Sequence, residues 1–194
     1  MNIGFDIDGV LTDFEAYIYE CGKKYFNMNA ENFKDFNVIN IFDMREKIEI
    51  NLWNQLIKNY ATMCPARDGA ADVVKKLRKE GHKIYIITNR CYDMSYCDIS
   101  AEVMRVYVKS WLEKENIEYD KLIFNMTESK LNSCLSCKLD IMIEDMLENI
   151  EDLHSYIQMI CFRTSYNKNS NIENLLYCNN MTELYKIIKE IDIS

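Results

Sequence analysis

The chain has one proline and five glycines in 194 residues, and only 23 basic side chains against 31 acidic ones. The resulting formal charge of −8 argues against tracking along a nucleic-acid polymer or docking on an anionic membrane, since both need a basic face. Small anions remain open as partners, because a local cation overrides a global charge. No apolar run approaches membrane-spanning length, and Asp6 and Asp8 interrupt the apolar N-terminal stretch, so neither a transmembrane helix nor a signal peptide is expected. Nor do the eight cysteines form a ligand set: Cys134 and Cys137 have no second pair and no His-x-x-x-His partner. Several others sit in apolar runs such as Met159-Ile160-Cys161-Phe162, the pattern of reduced thiols in a cytosolic protein, and a cytoplasmic location is the expectation. What is present is a composition of 48% apolar and 28% charged residues, enough for one domain with a small insertion and a core that needs no staples.

Because glycine and proline are scarce, the few that occur punctuate the chain. Ile3 to Ile7 reads as a buried strand ending at Gly9. From Asp13 to about Tyr60 the pattern is helical, with apolar sets Phe14, Ile18, Cys21, Tyr25, then Phe33, Phe36, Ile41, Phe42, then Ile50, Trp53, Leu56, Ile57. After the turn at Pro65 to Gly69, a helix over Ala70 to Lys79 stops at Gly81 and a strand follows over Lys83 to Thr88. The periodicity then predicts a helix over Ser100 to Lys114 with Val103, Val106, Tyr107 and Leu112 on its apolar side, a strand at Leu122 to Phe124, and a helix at Leu131 to Leu139. Beyond these come a strand at Asp140 to Ile143, a helix at Leu147 to Leu153, a strand at Ile157 to Phe162, a polar Asn-rich loop over 167–180, and a closing helix at Met181 to Ile191.

Alternating strands and helices imply βαβ units, hence an α/β fold: a Rossmann-like, doubly wound parallel sheet. The helical stretch after the first strand breaks that alternation and is too apolar for a linker. It reads as a small helical cap over 14–65, inserted into a core of 1–13 and 66–194. Ligands of open parallel sheets bind beyond the carboxyl ends of the strands, where such an insertion projects.

The string Asp6-Ile7-Asp8-Gly9-Val10-Leu11-Thr12-Asp13 ends the first strand. Two carboxylates one residue apart share a crevice only if the chain turns, which Gly9 permits. Burying them together is costly unless a cation joins them or one is protonated, and oxygen ligands suggest Mg²⁺. An acidic loop after a strand is the plainer explanation of Asp-x-Asp alone.

The longer string resembles the first motif of the haloacid dehalogenase superfamily of aspartate-nucleophile phosphatases, Asp-x-Asp-Gly-Thr/Val-Leu. The resemblance implies that Asp6 is the nucleophile, that Asp8 is the general acid and base, and that Mg²⁺ is held by Asp6, the Asp8 main-chain carbonyl and Asp145. It implies a second motif in Ile86-Ile87-Thr88-Asn89-Arg90, with the Thr88 hydroxyl and backbone N–H groups around Gly9 and Asn89 on the phosphate. For the third motif, a lysine opening a helix, Lys130 in Thr127-Glu128-Ser129-Lys130 is chosen over Lys138. The fourth is Ile143-Glu144-Asp145, where relatives often carry two aspartates; Asp145 is the expected ligand and Glu144 is expected to orient a metal-bound water.

Within that superfamily the chain is most similar to the 5′(3′)-deoxyribonucleotidases and related bacterial nucleotidases, on Asp13-Phe14-Glu15, the helical cap and Thr-x-x-Lys. The likeness implies aromatic walls for a nucleobase, with Phe14 and Trp53 as candidates, although both also fit ordinary helix cores. Arg90, Arg67 and Tyr92 lie near enough in sequence to touch a sugar or phosphate, with Arg67 read as surface charge. The implied function is Mg²⁺-dependent hydrolysis of (deoxy)nucleoside monophosphates. Another small phosphate monoester such as a sugar phosphate, or a non-catalytic phosphate-binding regulator on the same fold, are the alternatives; a homodimer is left open.

Overall fold

The computed structural model describes residues 1–25, 47–90, 99–126 and 129–193, with the backbone alone for 47–51 and 53. Six parallel strands form one sheet: β1 (Asn2–Phe5), β2 (Lys83–Thr88), β3 (Lys121–Phe124), β4 (Ile141–Glu144), β5 (Gln158–Phe162) and β6 (Leu176–Cys178). Their order is β3-β2-β1-β4-β5-β6, the doubly wound arrangement, which reverses direction between β1 and β4. The helices among the described residues are α1 (Phe14–Tyr25), α2 (Lys47–Met63), α3 (Ala70–Lys79), α4 (Ala101–Lys114), α5 (Leu131–Ser136), α6 (Leu147–Leu153) and α7 (Met181–Ile193).

The central strands are apolar on both sides because both sides are covered. Phe5, Ile86, Ile143 and Phe162 pack against Val74 and Leu77 of α3, Trp111 of α4 and Leu184 of α7. The alternate residues Ile87, Met142 and Cys161 pack against Cys134 of α5 and Ile150 of α6. That period of two within each strand is what a sheet buried on two faces requires. At Gly4 a Cβ would stand 2.5 Å from Leu139 Cδ1 and 2.7 Å from Met142 Sδ, so glycine lets β4 approach β1.

Helices α1 and α2 make a cluster of their own from Phe14, Ile18, Cys21, Leu56, Ile57, Tyr60 and Cys64. Thr12 and Ala66 pair in an isolated antiparallel bridge, and Arg67 N donates to Leu11 O at 2.7 Å, so the segment between them leaves and rejoins at one point. The expected apolar set at Phe33 to Phe42 lies outside the described residues. No helix among the described residues is long and apolar enough to cross a membrane.

Two expectations are corrected. The Asn-rich stretch read as loop contains β6, paired with β5 through Leu176, Tyr177 and Cys178; three residues at a sheet edge are too few to carry a periodic signal. Helix α4 buries Met104, Val108, Trp111 and Leu112, while Val103 and Val106 are 41% and 60% exposed. The burial stripe is set by Trp111, whose indole is buried and donates to Cys64 O at 2.6 Å.

Candidate active site

Asp6 follows β1 at the switch point and is still in extended backbone, with its N–H on Ile143 O of β4 at 3.1 Å. The chain then turns through Ile7–Leu11, where Gly9 has φ +78, and Thr12 N returns to Ile7 O at 2.9 Å. A side chain at Gly9 is doubly excluded: the backbone is left-handed, and a Cβ would lie 1.8 Å from Asp145 Oδ2. Gly9 therefore brings the turn flush against the acid that ends β4.

Four buried charged groups meet in this crevice. Lys130, at the start of α5 and 2% exposed, donates from Nζ to Asp6 Oδ1 at 2.6 Å and to Glu144 Oε1 at 2.7 Å. Glu144 is fully engaged: Oε1 also accepts from Asn149 Nδ2 at 2.6 Å, and Oε2 from the N–H groups of Asp145 and Met146 at 2.7 and 3.2 Å. Asp145 accepts Tyr166 OH on Oδ2, whereas its Oδ1 is buried with no hydrogen-bond partner among the described residues. One oxygen from each of Asp6, Glu144 and Asp145 lies within 4.8 Å of the others.

The electrostatics of this cluster are unbalanced. Burial, then the neighbouring Glu144 and Asp8 charges, push the Asp6 carboxyl up to about 7 even though Lys130 pulls it down. Burial, Glu144 and Asp6 likewise drive Asp145 well above the usual carboxylate range. Burial works against Glu144 too, but Lys130 and the Asp145 N–H hold it below its ordinary value. With all three carboxylates ionised, one ammonium would leave two negative charges in a buried site, with one oxygen lacking a partner among the described residues. An all-oxygen set with that surplus fits a hard divalent cation.

Asp8 turns to other partners. Its carboxylate accepts from Arg90 Nε at 2.9 and 3.1 Å, Arg90 Nη2 at 2.7 Å and Tyr60 OH at 2.5 Å. Thr88 is buried at the end of β2 with its Oγ1 accepting from Arg90 N at 3.2 Å, and the half-buried Asn89 accepts from Asn125 Nδ2 at 3.3 Å. The sheet thus gathers Asp6, Gly9, Lys130, Glu144 and Asp145, with Thr88 and Asn89 on the adjoining strand end. Phe14 is instead 6% exposed, its ring 4.9 Å from that of Tyr60 in the interhelical cluster. Trp53 lies on α2 with its side chain outside the described residues, and Tyr92 falls outside them altogether.

Several participants escaped the sequence reading. Arg67, read as surface charge, straps the turn instead: it donates to Gly9 O at 3.0 Å, Val10 O at 3.3 Å and Asp13 at 2.8 Å, with its guanidinium over the Phe162 ring. Tyr166, just before the Asn-rich loop, and Asn167, which opens it, brace Asp145; Asn167 Nδ2 donates to Asp145 O and Phe162 O at 2.8 Å each. The one usable signal was position, since that loop follows β5 at the carboxyl edge of the sheet.

A doubly wound sheet whose switch point holds an aspartate, a lysine and an acidic pair defines a phosphoric monoester hydrolase of the haloacid dehalogenase superfamily. Within it, the chain belongs to the 5′ nucleotidase, deoxy (pyrimidine), cytosolic type C protein (NT5C) family, whose profile matches residues 1–192. A protein of Bacillus cereus that carries the name nucleotidase is 27% identical over 98% of this chain and 99% of its own. A nucleotidase of Clostridium acetobutylicum is 24% identical over 98% and 95%. Among solved structures, a HAD hydrolase of family IA from Entamoeba histolytica superposes with a TM-score of 0.61 at 17% identity, covering 97% and 99% of the two chains. D,D-heptose 1,7-bisphosphate phosphatase from B. bronchiseptica, crystallised with magnesium and phosphate, gives 0.57 at 9% identity over 98% and 99%. Phosphatases of this superfamily generally use a divalent metal.

Proposed function

We propose that the protein is a Mg²⁺-dependent phosphomonoesterase that uses Asp6 as nucleophile and acts on (deoxy)nucleoside monophosphates. The observation that carries the reading is the meeting of Asp6, Lys130 and Asp145 in one buried crevice that is two positive charges short. Asp6, Asp145 and the Asp8 main-chain carbonyl would hold Mg²⁺. When bound, the ion supplies the charge that lets a carboxylate approach an anionic phosphate.

The remaining chemistry belongs to the chain's own residues. An Asp6 oxygen attacks phosphorus as the bond to the ester oxygen breaks, and Asp8 delivers a proton to that oxygen so that the alcohol leaves neutral. A water then attacks the phosphoaspartate, giving its proton back to Asp8 while the phosphorus bond to Asp6 breaks and inorganic phosphate departs. Lys130 holds a phosphate oxygen beside Asp6, and the Thr88 hydroxyl with the N–H groups of Gly9 and Asn89 holds the others. The segment 14–65 serves as a cap, since its ends meet at the Thr12 and Ala66 bridge beside the site.

The substrate class is supported by the family, whose description is 5′ nucleotidase, deoxy (pyrimidine), cytosolic type C protein. The test is kcat/KM with Mg²⁺ on a panel of deoxyribonucleoside, ribonucleoside and sugar monophosphates. Deoxyribonucleoside monophosphates are expected at the head of the panel; sugar phosphates there would overturn the substrate assignment.

A further inference from the structure

We propose that Arg90 and Tyr60 are the positioning residues of Asp8, one from the strand layer and one from α2, which together fix its carboxylate for proton transfer. The proposal rests on the phosphomonoesterase reading above, because it assigns residues to the proton-handling half of that reaction. Arg90 lies two residues beyond Thr88, is 7% exposed, and its described hydrogen bonds converge on the first turn and on Thr88. Its fork grips Asp8 through Nε and Nη2, a bidentate geometry that a point charge on a flexible stem does not reproduce. The guanidinium is itself held beside two rings, with Cζ 4.7 Å from the Tyr60 ring centroid and 5.3 Å from that of Trp111. Tyr60, 2% exposed, adds its hydroxyl to Asp8 Oδ1 at 2.5 Å and also contacts Thr12 Oγ1.

The two oxygens of Asp8 are consequently unequal. Among the described residues, Oδ1 accepts from Arg90 Nε, Arg90 Nη2 and Tyr60 OH, whereas Oδ2 accepts the longer 3.1 Å bond from Arg90 Nε alone. Oδ2 is the oxygen left to exchange a proton with the leaving group and then with water. Because Tyr60 rides on α2 while Arg90 extends β2, the placement of Asp8 depends on how α2 seats against the sheet.

A purely structural ion pair would lower activity on every substrate alike, whereas a positioning role depends on the leaving group. A nitrophenolate departs without a proton and a sugar alkoxide does not, and kcat/KM reports the steps through ester cleavage. We would compare kcat/KM on the best nucleoside monophosphate of the panel and on p-nitrophenyl phosphate, with Mg²⁺, for wild type, Asp8→Asn, Arg90→Gln, Arg90→Lys and Tyr60→Phe. Arg90→Gln is expected to lose about a hundredfold on the nucleotide and only about threefold on the aryl ester. Arg90→Lys should recover little of this, and Tyr60→Phe should lose about tenfold on the nucleotide in the same direction. Should Arg90→Gln fail to fold, the Tyr60→Phe ratio decides, since that change removes one oxygen. Equal losses on both substrates, or a gain on the nucleotide, would overturn the proposal. An Asp8→Asn split that neither partner variant reproduces defeats this proposal alone; no split in Asp8→Asn removes the general-acid role of Asp8 and this proposal with it.

Discussion

Among the described residues, Lys130 is the cation that meets the buried Asp6 and Glu144 carboxylates, and the consequences of removing it are the sharpest at the level of single residues. With methionine there, Asp6 and Glu144 lose their shared ammonium while staying buried. Breaking a buried pair from one side costs about 3–5 kcal/mol. Lys130→Met should therefore melt well below wild type in metal-free buffer and lose about a hundredfold or more in kcat/KM; an unchanged melting curve would contradict the charge balance drawn here. At this scale the sequence was informative where chemistry is written in short strings. Asp6, Asp8 and Asp145 stand at strand ends because each closes an apolar run. Arg90, Tyr60 and Arg67 were opaque because their partners lie 52 to 82 positions away for Asp8 and 58 for Gly9, and no local pattern encodes such a meeting.

Among the elements, the loop between β5 and β6 matters more than its composition suggests. Asn167 is fully buried and ties Asp145 O to Phe162 O, while its own Oδ1 accepts from Thr164 N at 2.9 Å. Asn167→Ala removes the side-chain partner of two carbonyls and an N–H, and should lower stability by about 2–4 kcal/mol in denaturant unfolding. Through Asp145 it should also weaken Mg²⁺ binding by about tenfold or more. A variant with normal stability and metal affinity would show that the loop is passive. Strands β2 and β5 and helices α3 and α6 were legible from periodicity because each carries a full apolar set. Strand β6 was not, since it is a short edge whose pairing with β5 supplies the order that its sequence lacks. On α4 the expected face was displaced because neighbouring apolar residues compete and the indole of Trp111 wins.

For the whole molecule, folding a surplus of acid into one crevice links stability to pH and to metal. Asp6, pushed up to about 7 against an ordinary 3.8, and Asp145, also raised well above the ordinary carboxylate value, bind protons in the fold that the unfolded chain has released. Their stabilising contribution is complete below the ordinary carboxylate value and is lost as pH rises through the raised values, about 7 for Asp6. Glu144, shifted downward, runs the other way, contributing above its ordinary value and fading as pH falls. A cation replaces the protons that Asp6 and Asp145 give up, so the rise in melting temperature on adding Mg²⁺ should be small at about pH 5 and large at about pH 8. A shift independent of pH would place the ion elsewhere. The overall architecture was legible because alternation of strand and helix fixes a doubly wound sheet, and the switch point then fixes where the acids must converge.

The most direct measurement is a single-turnover acid quench with a phosphate-labelled substrate in the presence of Mg²⁺, followed by mapping of any label retained on the protein. Acid-stable, base-labile label is expected on the peptide that contains Asp6, absent from Asp6→Asn although that variant remains folded. Turnover by an Asp6→Asn protein at the wild-type rate, or label on another residue, would contradict it.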